Sequence, residues 1–283
     1  MNFHQKPITF VAQVHIKVQD LERSLAFYKE VIGFKVLSKT DRTAELTADG
    51  KTPLLIIEQP ENAEPKMGRT TGLYHFALLL PKRSDLAKIV RHFAGIGLQF
   101  GSSDHLVSEA LYLSDPDGNG IEIYIDRSPS DWTWKNGEVM MTVDPLDFPD
   151  LLSIGQQQSW KGLPAGTVMG HIHLHVSELA NTEKFYTEGL GFEAVCRYGT
   201  QALFISSGKY HHHIGLNTWN GVGAPQPSKN SAGLQSFTLV LENEAALDQA
   251  VENLKKFGAA AAAVENNQVI TADPSGNRII LTV

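Results

Sequence analysis

The chain has 283 residues, 42% of them hydrophobic and 19% charged, which is a globular composition long enough for two ordinary domains. A formal charge of -7 argues against a nucleic-acid partner, and no run of 18 apolar residues is present to span a membrane. Met1–Phe10 lacks the basic flank and apolar stretch of a secretory signal, and Cys196 is the single cysteine, so the expected compartment is a reducing cytoplasm.

In chain order, residues 11–18 alternate apolar and polar, which is strand periodicity. Residues 20–32 place Leu21, Leu25, Tyr28 and Ile32 at helical spacing, and Gly33 reads as the C-cap. Three short strand-like runs follow at Phe34–Leu37, Thr43–Thr47 and Leu54–Glu58. The pattern then restarts with a strand at Leu73–Leu80, a helix at Arg83–Gly95, and strands near Leu98–Phe100, Ala110–Ser114 and Ile121–Ile125. The stretch from Asp126 to Met169, rich in Pro, Trp, Gly and Gln, reads as a linker with one short helix around Leu146–Ile154.

Beyond the linker the chain repeats itself. Ile172–Phe192 matches Val14–Phe34 at a shift of 158 (172 minus 14), pairing His15 with His173, Tyr28 with Tyr186 and Gly33 with Gly191. The same shift pairs Asp115-Pro116-Asp117-Gly118-Asn119 with Asp273-Pro274-Ser275-Gly276-Asn277. The expected fold is therefore α+β, with four βαβββ units, numbered one to four in chain order. The expected domains are 9–126 (units one and two) and 169–283 (units three and four), joined by a linker at 127–168.

This order of elements, with the phrases FYKEVIGF at 27–34 and DPDGNGIE at 115–122, resembles the vicinal oxygen chelate superfamily of glyoxalases, fosfomycin-resistance proteins and extradiol dioxygenases. The resemblance implies two tandem modules whose curved mixed sheets form cups, each cup able to hold one metal ion. It places one ligand His on the opening strand of the first unit in a cup. The second unit supplies a His on its opening strand and a Glu on its last. In unit two these fall on His75 and Glu122. The first His, seven residues before the acidic residue that opens the helix, falls on Gln13 in unit one and on His171 in unit three. Unit four offers only Ser236 and Ile280. Pairing one with two and three with four thus leaves both cups incomplete. Pairing two with three completes one, with His75, Glu122 and His171, and leaves units one and four to form a metal-free cup; this swapped pairing is the expectation.

The competing first ligand is His15, which shares a strand face with Gln13 but lies about 6.6 Å along it. Each ligand also has a plainer reading, since a lone His in an apolar strand is commonly a core residue and a lone Glu a surface one. Against that, Glu122 alternates with Tyr124 while Ile121, Ile123 and Ile125 take the opposite face.

The run from His105 through Tyr112 and Asp115-Pro116-Asp117-Gly118 to Glu122 resembles the extradiol dioxygenase pattern, with Ser103 departing from it. The resemblance implies that His105 and Tyr112 hydrogen-bond the substrate or the Glu ligand. It also implies an acid–base His within Tyr210–Asn217. There the family phrase selects His212 and strand alternation selects His213, and both stand as candidates. His173 and His175, on the face of His171, read as lining or bracing residues. A two-His-one-carboxylate set implies Fe(II), with Mn(II) suiting the same donors. The implied substrates are catechol or a substituted catechol and O₂. The alternatives are a glyoxalase-like metal-dependent isomerase or transferase and a non-enzymatic small-molecule-binding protein. A homo-oligomer is compatible with this site but not required by it.

Overall fold

The structure is a computed structural model that describes residues 2–154, 159–264 and 267–283. Unit one comprises β1 (Phe10–Lys17), α1 (Leu21–Phe27), β2 (Lys35–Lys39), β3 (Thr43–Thr47) and β4 (Pro53–Glu58). Unit two comprises β5 (Gly72–Leu79), α2 (Arg83–Gly95), β6 (Gly101–Asp104), β7 (Ser108–Ser114) and β8 (Gly120–Asp126). The connecting segment carries β9 (Trp134–Lys135), β10 (Glu138–Val139) and α3 (Phe148–Ser153). Unit three follows as β11 (Val168–His175), α4 (Ala180–Lys184), β12 (Glu193–Tyr198), β13 (Ala202–Ser206) and β14 (Ile214–Asn217). Unit four is β15 (Gly233–Val240), α5 (Glu244–Phe257), β16 (Ala261–Val264), β17 (Gln268–Ala272) and β18 (Arg278–Thr282).

Two eight-stranded mixed sheets result, in the orders β16-β17-β18-β15-β1-β4-β3-β2 and β12-β13-β14-β11-β5-β8-β7-β6. The first joins unit four to unit one and the second joins unit three to unit two, so each sheet takes four strands from each half of the chain. The seams are antiparallel, β1 with β15 and β5 with β11. The strand periodicity of two gives every sheet an apolar face. Val14 and Ile16 of β1, Phe76 of β5, Ile172 and Leu174 of β11 and Phe237 of β15 meet in one buried cluster with the helices. Burying each such side chain contributes about 1.5–3 kcal/mol. The opposite faces are left free for polar side chains.

Two expectations shift in detail. The helix expected over 20–32 runs to Phe27 and then widens into a π turn at Tyr28–Ile32. The N–H groups of Gly33 and Phe34 both reach the Tyr28 carbonyl, and Gly33 takes the left-handed φ of 92° that a side chain would oppose. The strand expected near Leu98–Phe100 lies at Gly101–Asp104, because Leu98 still donates to the Phe93 carbonyl and so belongs to the exit of α2.

The repeated motifs tie the units of each half together across the two sheets. Tyr28 at the end of α1 donates its hydroxyl to Asp115 at 2.9 Å, and Tyr186 donates to Asp273 at 3.1 Å. Each aspartate also accepts backbone N–H groups of its own turn, from Asp117 and Asn119 and from Ser275 and Asn277. Burial nonetheless holds both carboxyls above the usual range. Tyr28→Phe removes one buried donor from Asp115 and should cost about 1–2 kcal/mol of unfolding free energy with metal content unchanged, measurable by chemical denaturation.

Candidate metal centre

The site lies on the inner face of the second sheet and follows from its register. His171 of β11 is paired with Ala77 of β5, Ala77 with Glu122 of β8, and Glu122 with Tyr112 of β7. These four residues form one row across the sheet and share a face. Ala77 is the small member, and over it the imidazole and the carboxylate meet: His171 Nε2 lies 3.0 Å from Glu122 Oε2. His75, two residues before Ala77 on the same face, brings its Nε2 to 3.0 Å from the same oxygen. One ligand atom from each of the three lies within 4.8 Å of the others, and all three residues are buried.

The neighbouring row runs Phe204, Gly215, His173, His75, Gly120. Two glycines there are demanded by close approach. A Cβ on Gly215 would stand 2.8 Å from the His173 ring, and one on Gly120 would stand 2.1 Å from the Tyr74 carbonyl oxygen.

The electrostatics suit a divalent cation. Burial, the largest influence on Glu122, would raise its carboxyl. The attraction and hydrogen bond of His171, with His75 close by, reverse this and hold it well below the usual range. Burial pushes the His171 and His173 imidazoles below their ordinary value. A buried carboxylate beside a neutral His171 imidazole is the protonation state in which such donors bind metal. His75 Nε2 is buried and has no aligned hydrogen-bond partner, leaving a lone nitrogen aimed at the carboxylate oxygen. These residues therefore fit a cation bound among them.

The remaining sequence candidates are distributed around this cluster. Tyr112 lines the same cavity, and its hydroxyl is 2.6 Å from His105 Nε2. His105 Nδ1 is 2.6 Å from the Thr142 carbonyl, which only accepts, so Nδ1 carries the proton and Nε2 receives the tyrosine O–H. Burial and the Glu122 charge hold the Tyr112 phenol well above its usual value. His212 faces the cavity with its ring 4.1 Å from that of His171. His213 faces away: its Nε2 donates to the Phe3 carbonyl and its Nδ1 accepts from the Ser207 N–H, which occupies both nitrogens. The strand begins only at Ile214, so alternation does not extend back to the histidines. His173 and His175 are both held by Asn217, at 3.0 and 2.7 Å.

His15 lies on the other sheet, where it pairs with Glu58 at 2.9 Å. The row there that corresponds to His171–Ala77–Glu122 reads Gln13, Thr238, Ile280, with Ser236 in the place of His75. None of these is a strong metal donor.

The cavity above the donors measures about 380 Å³. Its wall includes Tyr74, Tyr198, Phe204 and Trp219, together with Met141, Thr142 and Val143 from the connecting segment. These lining residues carry no spacing signal in the sequence and are found only through the fold. Ala77 makes a test of the geometry: Ala77→Leu would fill the space over which His171 and Glu122 meet. It should weaken metal affinity at least about tenfold, the scale of losses seen when ligand orientation is disturbed, as read by metal titration.

The sequence model of the Glyoxalase/Bleomycin resistance protein/Dioxygenase superfamily matches residues 10–123 and again 168–281. A catechol-2,3-dioxygenase of Bacillus subtilis (strain 168) is 46% identical over 278 residues, 97% of this chain and 98% of the relative. Among solved structures, a Bacillus subtilis protein superposes with a TM-score of 0.67 at 16% identity, covering 98% of this chain and 86% of that one. Glyoxalase I of Zea mays superposes with a TM-score of 0.59 at 15% identity, covering 96% and 92%. The structural likenesses bear on the fold, and the twofold family match spans both halves of the sequence. The chain belongs to the Glyoxalase/Bleomycin resistance protein/Dioxygenase superfamily.

Proposed function

We propose that the protein is an extradiol ring-cleavage dioxygenase that opens catechol or a substituted catechol with O₂, using a metal held by His75, Glu122 and His171. The observation that carries this reading is the convergence of two imidazole nitrogens and one carboxylate oxygen beside a cavity of about 380 Å³ whose wall includes His75 and Glu122. The near full-length similarity to a catechol-2,3-dioxygenase supports the substrate class. Fe(II) is the proposed ion, and Mn(II) suits the same donors. When bound, such an ion lowers the pKa of a coordinated hydroxyl and provides open positions for oxygen chemistry.

The chain's own residues supply the rest. The aromatic wall of Tyr74, Phe204 and Trp219 packs the ring and excludes water. Tyr112, kept protonated and donating its O–H to His105, leaves its hydroxyl oxygen beside Glu122 to accept from a substrate hydroxyl and orient it. His212, on the other side of His171, is the group placed to accept and return a proton. The two sheets are completed within one chain, so a homo-oligomer is not needed for the site, and the enzyme is proposed to work in aromatic breakdown in the cytoplasm.

The test is oxygen uptake by the Fe(II)-loaded protein with catechols, with a yellow ring-fission product. Turnover without oxygen use, or no oxygen uptake by fully iron-loaded protein on any catechol, would overturn the proposal. The residues lining the cavity include no Lys or Arg among the described residues. Catechols bearing a carboxylate should therefore be used at least about tenfold less well, in kcat/KM, than uncharged ones, since no Lys or Arg of the wall pairs with that charge as it is desolvated.

A further inference from the structure

A chain of side chains leads away from His212 toward the surface of the opposite side of the site. His212 Nδ1 is 2.9 Å from His211 Nδ1, and His211 Nε2 is 2.8 Å from Asp126 Oδ1. The His211 side chain is fully buried, whereas Asp126 is about one-fifth exposed and lines a second cavity with Phe3, His4 and Arg127. Asp126 also accepts from the Tyr210 hydroxyl, 3.0 Å from Oδ2, and Tyr210 in turn contacts the Tyr124 hydroxyl at 2.7 Å. None of these residues touches the metal donors through a hydrogen bond.

We infer that Asp126 and His211 are positioning residues that fix the tautomer of His212, so that its Nε2 is presented to the cavity as a bare proton acceptor. The argument is one of hydrogen-bond polarity. A carboxylate has only acceptors, so His211 must donate from Nε2. With a single N–H on the His211 ring its Nδ1 is bare, and the Nδ1···Nδ1 contact is then made only if His212 donates from its own Nδ1. Each neutral imidazole carries one N–H, so the remaining nitrogen of His212, Nε2, is a lone pair. A contact between two histidine Nδ1 atoms has no other stable arrangement with both rings neutral: two lone pairs or two protons would repel. This inference rests on the reading of His212 as the acid–base group of the proposed ring cleavage.

Asp126→Asn provides a nearly isosteric test. The amide keeps its oxygen for the Tyr210 hydroxyl and turns its N–H₂ toward His211 Nε2. The polarity of the chain inverts: His211 accepts at Nε2, donates from Nδ1, and leaves His212 with its proton on Nε2. The readout is the imidazole ¹⁵N spectrum of His212 in Zn(II)-loaded full-length protein at about pH 8, above the ordinary imidazole pKa of about 6.5. The expected result is a protonated Nδ1 and a bare Nε2 in the wild type, and the reverse in Asp126→Asn. In the Fe(II) enzyme the same substitution should lower kcat about 10–100-fold, the range seen for residues that orient an active group, with KM within about twofold. His211→Gln, whose amide oxygen can accept from His212 Nδ1, should retain more activity than His211→Phe. A wild-type His212 carrying its proton on Nε2, or the same tautomer in both proteins, would overturn the inference. The spectrum is read without turnover: tautomers as expected, in a protein that takes up no oxygen, would uphold the positioning chain and count against ring cleavage alone.

Discussion

Glu122→Gln should abolish stable metal binding and lower kcat/KM by at least about 10³-fold, a loss of roughly 4 kcal/mol of transition-state stabilisation. Glu122 is the only anion among the three donors, and its Oε2 is the point on which both imidazole nitrogens converge. The amide keeps the volume but loses the charge that draws a divalent cation into a buried site. The metal-free variant should be somewhat less stable than metal-free wild type near neutral pH, because the carboxyl is held below its usual range and its contacts therefore outweigh its desolvation. A further difference appears on adding metal. Wild type should gain about 2.7 kcal/mol at a free metal concentration 100 times Kd, seen as a rise in Tm, and the variant should show no rise. Equal metal-induced stabilisation in both proteins would contradict the assignment.

Severing the chain at the exposed Asn136–Gly137 turn, between β9 and β10, should leave two fragments that are inactive apart and active together. The structure gives a specific reason. The N-terminal fragment holds His75 and Glu122 but not His171, and the C-terminal fragment holds His171 alone. Each sheet is closed at a seam between the halves, β5 with β11 and β1 with β15, so neither fragment owns a complete sheet. Folded alone, the N-terminal half would have to pair β1 with β5. That arrangement would set Gln13 and His15, not His171, beside the donors. Separate fragments should each show under about 1% of the intact activity, a deficit of some 2.7 kcal/mol or more, and mixing them should restore metal binding. An N-terminal fragment that binds metal and cleaves substrate by itself would place the site within one half of the chain.

Much of this arrangement was legible in the sequence because two independent periodicities agree. The family resemblance pointed to His75, strand alternation put Glu122 on the face opposite the isoleucines, and the structure has Ile121 and Ile123 in the core with Glu122 turned the other way. The shift of 158 aligned His171 with Gln13, and the empty positions at Ser236 and Ile280 left the pairing of units two and three as the arrangement that completes a cup. That pairing is the one found in the sheets. What the sequence could not resolve were features set by tertiary contact. The choice between His212 and His213 turns on where a strand starts, and β14 starts one residue after the histidine run. The N-terminal segment gives no signal of its own, yet Phe3 takes the His213 N–H and His4 reaches the Gly170 carbonyl at 2.9 Å. Asp126, at the end of β8, looked like the start of a linker. Its partnership with His211 spans 85 residues of sequence and exists only because β8 and the turn before β14 lie on the same side of one sheet. Ala77 was likewise silent, since a small residue in an apolar strand has no periodic signature, although its size is what lets His171 and Glu122 meet.

Anomalous scattering at the iron edge, from a crystal of the Fe(II)-loaded protein, tests the metal assignment most directly. A single peak about 2 Å from His75 Nε2, His171 Nε2 and a Glu122 carboxylate oxygen is the predicted result. A peak beside His15 and Glu58, or one that His171 does not touch, would contradict it.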